Sequence, residues 1–276
     1  EEGVTVSVDT NSNFEEWNVI KEPKITIAGE KFVDLDADGE KDAGEGDVEV
    51  GQSFTIELYR WTDGYTNDAI DEGELLFLTS TTTDPTTGAY SFTSLPVLGE
   101  NQFYLVKEAD ALSGDWIQSF PDPNQHIIDT SSEADSLGND FGNYELGTIS
   151  GYKYVDSDAD GLKDAGTQTP VAGVTIYLLV DGNKIPDGQG GFVTDVTEAN
   201  GYFEFDGLKP GDYQVSEDPD NTGSITDSNG DTWYSEALTT TGDITVSSGE
   251  LEDDTEFLNY ELGTISGYKY VDSDAD

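Results

Sequence analysis

Asp34-Leu35-Asp36-Ala37-Asp38-Gly39 sets three carboxylates two residues apart, and five residues separate its glycine from Glu45. In a D-x-D-x-D-G-x5-E run the first three side chains converge as the backbone turns at the glycine. A hard cation such as calcium takes roughly six to eight oxygens arranged in this way. The carbonyl of Glu40 supplies a further oxygen, Asp42 another (directly or through water), and Glu45 can close the sphere with both of its oxygens. A second run supplies Asp156, Asp158, Asp160, Gly161 and Asp164, with the carbonyl of Leu162 in the place of Glu40. Its last position is Thr167, so this site is either weaker or completed by another group. A third run brings Asp272, Asp274 and Asp276. The competing reading is an acidic surface turn in an acidic protein. Recurrence at one place in each repeat weighs against it, as does the repulsion among so many carboxylates without a cation. Without metal the loop is expected to be loose and open to proteases. Asp227-Ser228-Asn229-Gly230-Asp231 is a weaker candidate for such a loop, with a plain turn the favoured reading.

A second set of residues could form a bond. Alternate residues of a strand share a face. Ile149, Gly151, Lys153 and Val155 therefore lie together, as do Ile27, Gly29, Lys31 and Val33, which sets a lysine on an apolar face twice; it recurs as Lys269. A later strand puts Glu217 with Tyr213 and Val215, and Glu108 with Tyr104 and Val106. The closing strand puts Asn143 with Phe141 and Asn259 with Phe257. Burial drives a lysine toward its nucleophilic neutral amine and a glutamate toward its acid, which can polarise a carboxamide. Attack of Lys31 on Asn143, promoted by Glu108, or of Lys153 on Asn259, promoted by Glu217, expels ammonia and leaves an amide cross-link from first strand to last. The alternatives are a buried Lys–Glu pair hydrogen-bonded to Asn, or a lysine that snorkels outward. A bulge at Gly29 or Gly151 would reverse the faces.

The elements that must position these groups repeat. Asn143–Asp160 reads NYELGTISGYKYVDSDAD, and Asn259–Asp276 reads the same letters, 116 residues further on (259 − 143). A looser copy, KITIAGEKFVDLDADGEKDAGE, begins at Lys24. The organisation expected is the end of one module over 1–23, complete modules over 24–145 and 146–261, and the start of another over 262–276. The second module reads as strands near 148–155, 174–180, 192–198, 202–205, 212–217, 244–246 and 255–260, rich in Val, Ile, Tyr, Phe and Thr and separated by Gly, Asn and Pro turns. No helix of normal length is expected, and such modules suggest an all-β fold of tandem β-sandwiches. The last strand is expected to end at Tyr144 and the next to begin near Thr148, a linker too short for much freedom.

The chain has 276 residues, with 59 acidic against 11 basic and a net charge of −48. That charge repels nucleic acid and anionic membrane, and it serves either solubility at high salt or binding of divalent cations. No apolar run is long enough to span a bilayer. Cysteine and methionine are absent, so disulfides are excluded and the chain reads as an internal or processed fragment.

The run NYELGTISGYKYVDSDADGLKDAG, with PVAGVTIYLL from Pro170, TEANGYFEFDGLKPGDY from Thr197 and the closing Phe141-Gly142-Asn143-Tyr144, resembles the SdrD B-like (serine-aspartate repeat B-type) domains of surface adhesins. The resemblance implies a prealbumin-like, Ig-like β-sandwich of the collagen-adhesin (Cna) B type, calcium in the aspartate loop, a cell-surface location and a spacer role. Related Cna B-type domains carry the Lys, Glu and Asn, whereas SdrD B-like members commonly lack the lysine. Thr167 departs from the family's loop, and the stretches 63–74 and 221–236 are insertions.

The function expected is a calcium-stiffened stalk or filament segment of an extracellular protein, with further copies of the module as its partners, including self-assembly into fibres. The alternative is an adhesin that binds a glycan or protein through Trp61, Tyr65, Trp116 or Trp233, although packing of these rings in the core is favoured. An enzyme is not expected. The single histidine, His126, reads as a loop residue, and Gly188-Gln189-Gly190-Gly191 reads as a hairpin turn.

Overall fold

The computed structural model describes residues 5–6, 19–20, 22–45, 52–63, 70, 73–109, 116–163, 166, 168–235, 239–271 and 273. Its contacts divide the chain into two compact units, Glu1–Glu145 and Leu146–Asp276. All regular elements among the described residues are strands, and no helix there is long and apolar enough to cross a membrane.

In the first unit, β1 (Thr5–Val6) pairs with β2 (Val19–Ile20). The sandwich itself follows: β3 (Lys24–Val33), β4 (Thr55–Thr62), β5 (Leu75–Thr82), β6 (Ala89–Pro96), β7 (Gln102–Glu108), β8 (Trp116–Phe120), β9 (His126–Ile128) and β10 (Phe141–Glu145). One sheet has the order β6-β3-β10-β8 and the other β5-β4-β7-β9. Ile25 and Ile27 of β3, Tyr90 and Phe92 of β6 and Phe141 of β10 meet Ile56 and Leu58 of β4, Tyr104 and Val106 of β7 and Ile128 of β9 in one buried cluster. Both sheets give their alternate apolar residues to it, which makes the unit a β-sandwich.

The second unit comprises β11 (Gly147–Val155), β12 (Thr175–Val180), β13 (Asn183–Lys184), β14 (Thr194–Val196), β15 (Tyr202–Leu208), β16 (Gly211–Ser216), β17 (Ile225–Thr226), β18 (Thr232–Trp233), β19 (Ile244–Val246) and β20 (Leu251–Asn259). One sheet runs β15-β11-β20 and the other β13-β12-β16-β19, with β14 also on β12; β17 and β18 form a separate hairpin. Ile149, Phe203, Phe205 and Phe257 from the first sheet pack on Ile176, Leu178, Val215 and Val246 from the second.

In each unit the first long strand and the last are parallel neighbours. Lys31 stands opposite Phe141 and Val33 opposite Asn143; Lys153 stands opposite Phe257 and Val155 opposite Asn259. The pairing breaks register between Ile25 and Ile27 and between Ile149 and Gly151, upstream of each lysine, so both lysines still point inward. Several boundaries differ from the sequence reading, β14 being shorter (Thr194–Val196) and β15 longer (Tyr202–Leu208), and two bear on the site. The closing strand begins at Leu251 because its acidic first half pairs with Thr148 and Ile149. Only Leu146 separates β10 from β11. His126 is a strand residue rather than a loop residue: it opens β9, packs against Phe141 at 5.0 Å and has Nε2 2.7 Å from the Asp140 carbonyl.

Candidate functional site

Two constellations recur, one inside each sandwich and one in the loop that leaves its first strand. Inside the second unit, Lys153 Nζ lies 2.5 Å from Glu217 Oε2 and donates a hydrogen bond to Asn259 Oδ1. All three residues are buried. In the first unit Lys31 Nζ lies 3.0 Å from Glu108 Oε1, an ion pair whose angles fall short of a directed hydrogen bond. The carboxamide of Asn143 is buried beside Glu108 and makes no hydrogen bond to Lys31. The ring of Phe54 lies 4.8 Å from Lys31 Nζ and meets Trp116 edge-on.

The backbone fixes these side chains. Lys31 N–H donates to the Gly88 carbonyl at 3.0 Å, and Lys153 N–H to that of Gly201 at 2.9 Å. Both glycines have left-handed backbone, φ 66° and 82°. A Cβ at either would stand 2.3 or 2.4 Å from the lysine carbonyl oxygen, so no other residue fits without displacement. These glycines are not singled out from the sequence alone; the signal for them is a glycine closing the turn before the strand beside each lysine.

Burial sets the protonation. Desolvation lowers the Lys31 amine to about 8, against the opposing pull of Glu108. Lys153 is lowered for the same reason, with Glu217 opposing. Desolvation raises the carboxyls of Glu108 and Glu217, while their lysines hold them back. Both shifts favour a neutral amine beside a neutral acid over the ion pair, and the neutral amine is the nucleophilic form.

In the loop after β3, carboxylate oxygens of Asp34, Asp36 and Asp38 all lie within 4.8 Å of one another, and those of Asp156, Asp158 and Asp160 do the same after β11. Asp34 is buried and accepts N–H groups of Asp38 at 3.2 Å and Gly39 at 2.9 Å; Asp156 does the same with Asp160 at 3.3 Å and Gly161 at 2.9 Å. Glu45 accepts Leu35 N–H at 2.7 Å and Asp42 N–H at 2.9 Å, which draws the two ends of the loop together. Glu40 and Leu162 donate their N–H groups to Asp38 and Asp160. Desolvation and the charges of Asp38, Asp34 and Asp42 push the Asp36 carboxyl up. A donor set of carboxylates alone, without His or Cys, fits a hard cation and not zinc. Asp164, Thr167, Asp272, Asp274 and Asp276 lie outside the described residues.

The two constellations touch through the backbone. Asp34 N–H donates to the Asn143 carbonyl at 2.9 Å, and Asp156 N–H to the Asn259 carbonyl at 2.8 Å. The residue that opens each acidic loop therefore bonds the residue that offers the carboxamide.

The aromatic residues considered for ligand binding are engaged in packing. Trp61 is buried against Phe103, Trp116 meets Phe54, and Trp233 Nε1 donates to Asp227 Oδ2 at 3.2 Å; Tyr65 lies outside the described residues. Asp227 also accepts N–H groups of Asn229 and Asp231, the geometry of a plain turn. Gly188–Gly191 is likewise a turn, closed by Asp187.

The sequence profile of the SdrD B-like domain matches residues 147–258. Serine-aspartate repeat-containing protein D of Staphylococcus aureus (strain MW2) is 26% identical over 271 residues, covering 93% of this chain and 18% of that protein. Colossin-B of Dictyostelium discoideum is 38% identical over 64 residues, 23% of this chain and 2% of that protein. The chain thus spans under a fifth of these relatives. Among solved structures, the minor pilin GBS52 of Streptococcus agalactiae aligns over 89% of this chain and all of its own, with 14% identity and a TM-score of 0.32. The shaft pilin spaA of Lactobacillus rhamnosus GG aligns over the same shares with 13% identity and a TM-score of 0.34. Residues 147–258, the second sandwich, are thus similar to the SdrD B-like domain.

Proposed function

We propose that this chain is a stalk or filament segment of an extracellular cell-surface protein, with modules reinforced by calcium and by Lys–Asn amide cross-links. The contact of Lys153 with both Glu217 and Asn259, between parallel first and last strands, is the observation that carries it. In each module the neutral lysine Nζ attacks the asparagine Cγ. The glutamic acid polarises the carboxamide oxygen, passes its proton to the departing nitrogen and takes back the one that Nζ loses. A C–N bond forms, the Cγ–Nδ2 bond breaks, and ammonia leaves. No oxidant or cofactor is required, and the protein modifies only itself. A load on a module's ends would then fall on a covalent bond, not on strand hydrogen bonds.

Calcium in the aspartate loops would neutralise charge that otherwise repels. Asp34, Asp36 and Asp38, with Glu40, Asp42 and Glu45, would hold one ion; Asp156, Asp158 and Asp160, with Leu162 and Asp164, would hold another; Asp272, Asp274 and Asp276 would begin a third. The single residue between β10 and β11 leaves little chain to extend. The expected partners are further copies of the module, along one chain or in a fibre. Intact mass tests the proposal. The chain should weigh two ammonias less than its sequence, with one restored by Lys31→Ala and the other by Lys153→Ala. A full sequence mass would remove the cross-link.

A further inference from the structure

The leaving group of the second module must escape from a closed place. Lys153, Glu217 and Asn259 are each 3% exposed or less, and the adjoining sandwich interior is a packed apolar cluster. On one side, however, a part-open cavity of about 260 Å³ reaches Asn259. Asp218, Asn221, Ser224, Trp233 and Thr239 line it. That is several times the roughly 30 Å³ that one water occupies in the liquid, and the lining can hydrogen-bond a small polar guest.

The cavity's outer wall is the insertion that the second module carries. Its hairpin, β17–β18, is fastened at three places. Ser228 N–H donates to the Gly173 carbonyl at 2.9 Å. Tyr234 and Tyr260 exchange backbone hydrogen bonds at 2.9 and 2.8 Å. Asp218 holds the approach to the hairpin, accepting from Thr222 N–H at 3.0 Å, Thr222 Oγ1 at 3.0 Å and Gly223 N–H at 2.8 Å. Desolvation pushes the Asp218 carboxyl up, but these donors together outweigh it and hold the group below its ordinary range, one residue along from Glu217.

The geometry points to this cavity as the outlet of the second module's cross-linking site: ammonia released from Asn259 passes into it and is drawn off beside Asp218. The inference rests on the cross-link reading. Ammonia kept at the site would attack the new amide and reverse the step; an exit lined by polar groups and a carboxylate makes the loss one-way. The hairpin then has a definite use, leaving the reacting groups dry while giving their small product a path.

The test follows freshly made full chain from cell-free synthesis, digested at intervals and weighed as peptides. Ser224→Phe, which fills the cavity, should slow the Lys153–Asn259 loss by about tenfold, a barrier change of about 1.4 kcal/mol. The Lys31–Asn143 loss in the same molecules should keep its pace, and Ser224→Ala should behave as the parent chain. Thr239→Phe, filling from another wall, should repeat the slowing and serves if Ser224→Phe does not fold. Unchanged second-module loss in either folded filler overturns the outlet while leaving the cross-link intact. A parent chain that never loses the second ammonia overturns both.

Discussion

The two sandwiches gather the same three side chains differently. In the second, the lysine touches glutamate and asparagine at once, whereas in the first it pairs with glutamate alone beneath Phe54 and makes no hydrogen bond to the asparagine. The loops differ in the opposite direction. The first has Glu45 tying its ends, and the second has Thr167 in that place. The first loop thus carries the fuller carboxylate set and the second triad the closer contacts. A fold held by packing can place the same reactive groups in either arrangement, because neither a buried triad nor an acidic loop is needed to close the apolar core.

The sharpest way to break the comparison is to remove a glutamate. Glu217→Ala should abolish the second cross-link and leave Lys153 buried without its partner, costing about 3–5 kcal/mol in chemical denaturation. Glu108→Ala should do the same to the first module alone; loss of both cross-links from one substitution would show that the modules are not independent. Next comes calcium. Saturating ion, at about a hundred times the dissociation constant, should stabilise the first module by about 2.7 kcal/mol, and chelator should remove that gain. Calorimetric titration should find the tighter site in the first module, and Glu45→Ala should bring it down to the second's affinity. Equal affinities before the substitution would erase the proposed difference.

The glycine turns offer a smaller effect. Gly88→Ala and Gly201→Ala should each cost about 1–3 kcal/mol through the left-handed backbone and the crowded lysine carbonyl. Each should also slow the mass loss of its own module, and stability that falls with no change in that rate would separate folding from positioning. The mildest is pH. The reactive pair holds one proton, shared between amine and acid. Lowering pH through the raised Glu108 range adds a proton and traps the ammonium. Raising pH beyond about 8 empties Lys31 and the pair together. The rate of the first cross-link should be flat between these limits, then fall about tenfold per unit above the upper one. A rate that keeps climbing past it would mean that the amine reacts without its acid.

Much of this was legible in the residues. Alternation placed the lysines, glutamates and asparagines inward, and the spacing of aspartates placed three carboxylates in one loop. What was not legible depended on neighbours remote in sequence. Phe54 over Lys31, Gly88 behind it and the hairpin beside Asn259 come from segments that no local pattern joins to the triad. The extent of β20 also escaped, since LEDD has poor strand propensity and is extended only because β11 offers it a ladder.

The identical letters at 143–160 and 259–276 divide the two contributions. The sequence alone determined the repeat, the strand-forming character of GTISGYKYV and the positions of its lysine and aspartates. Only tertiary structure decided what those residues meet. Gly147–Val155 is extended between β15 and β20 with Lys153 buried. A strand's hydrogen bonds and its apolar face are both satisfied by other segments, so its own residues state a preference that those segments complete.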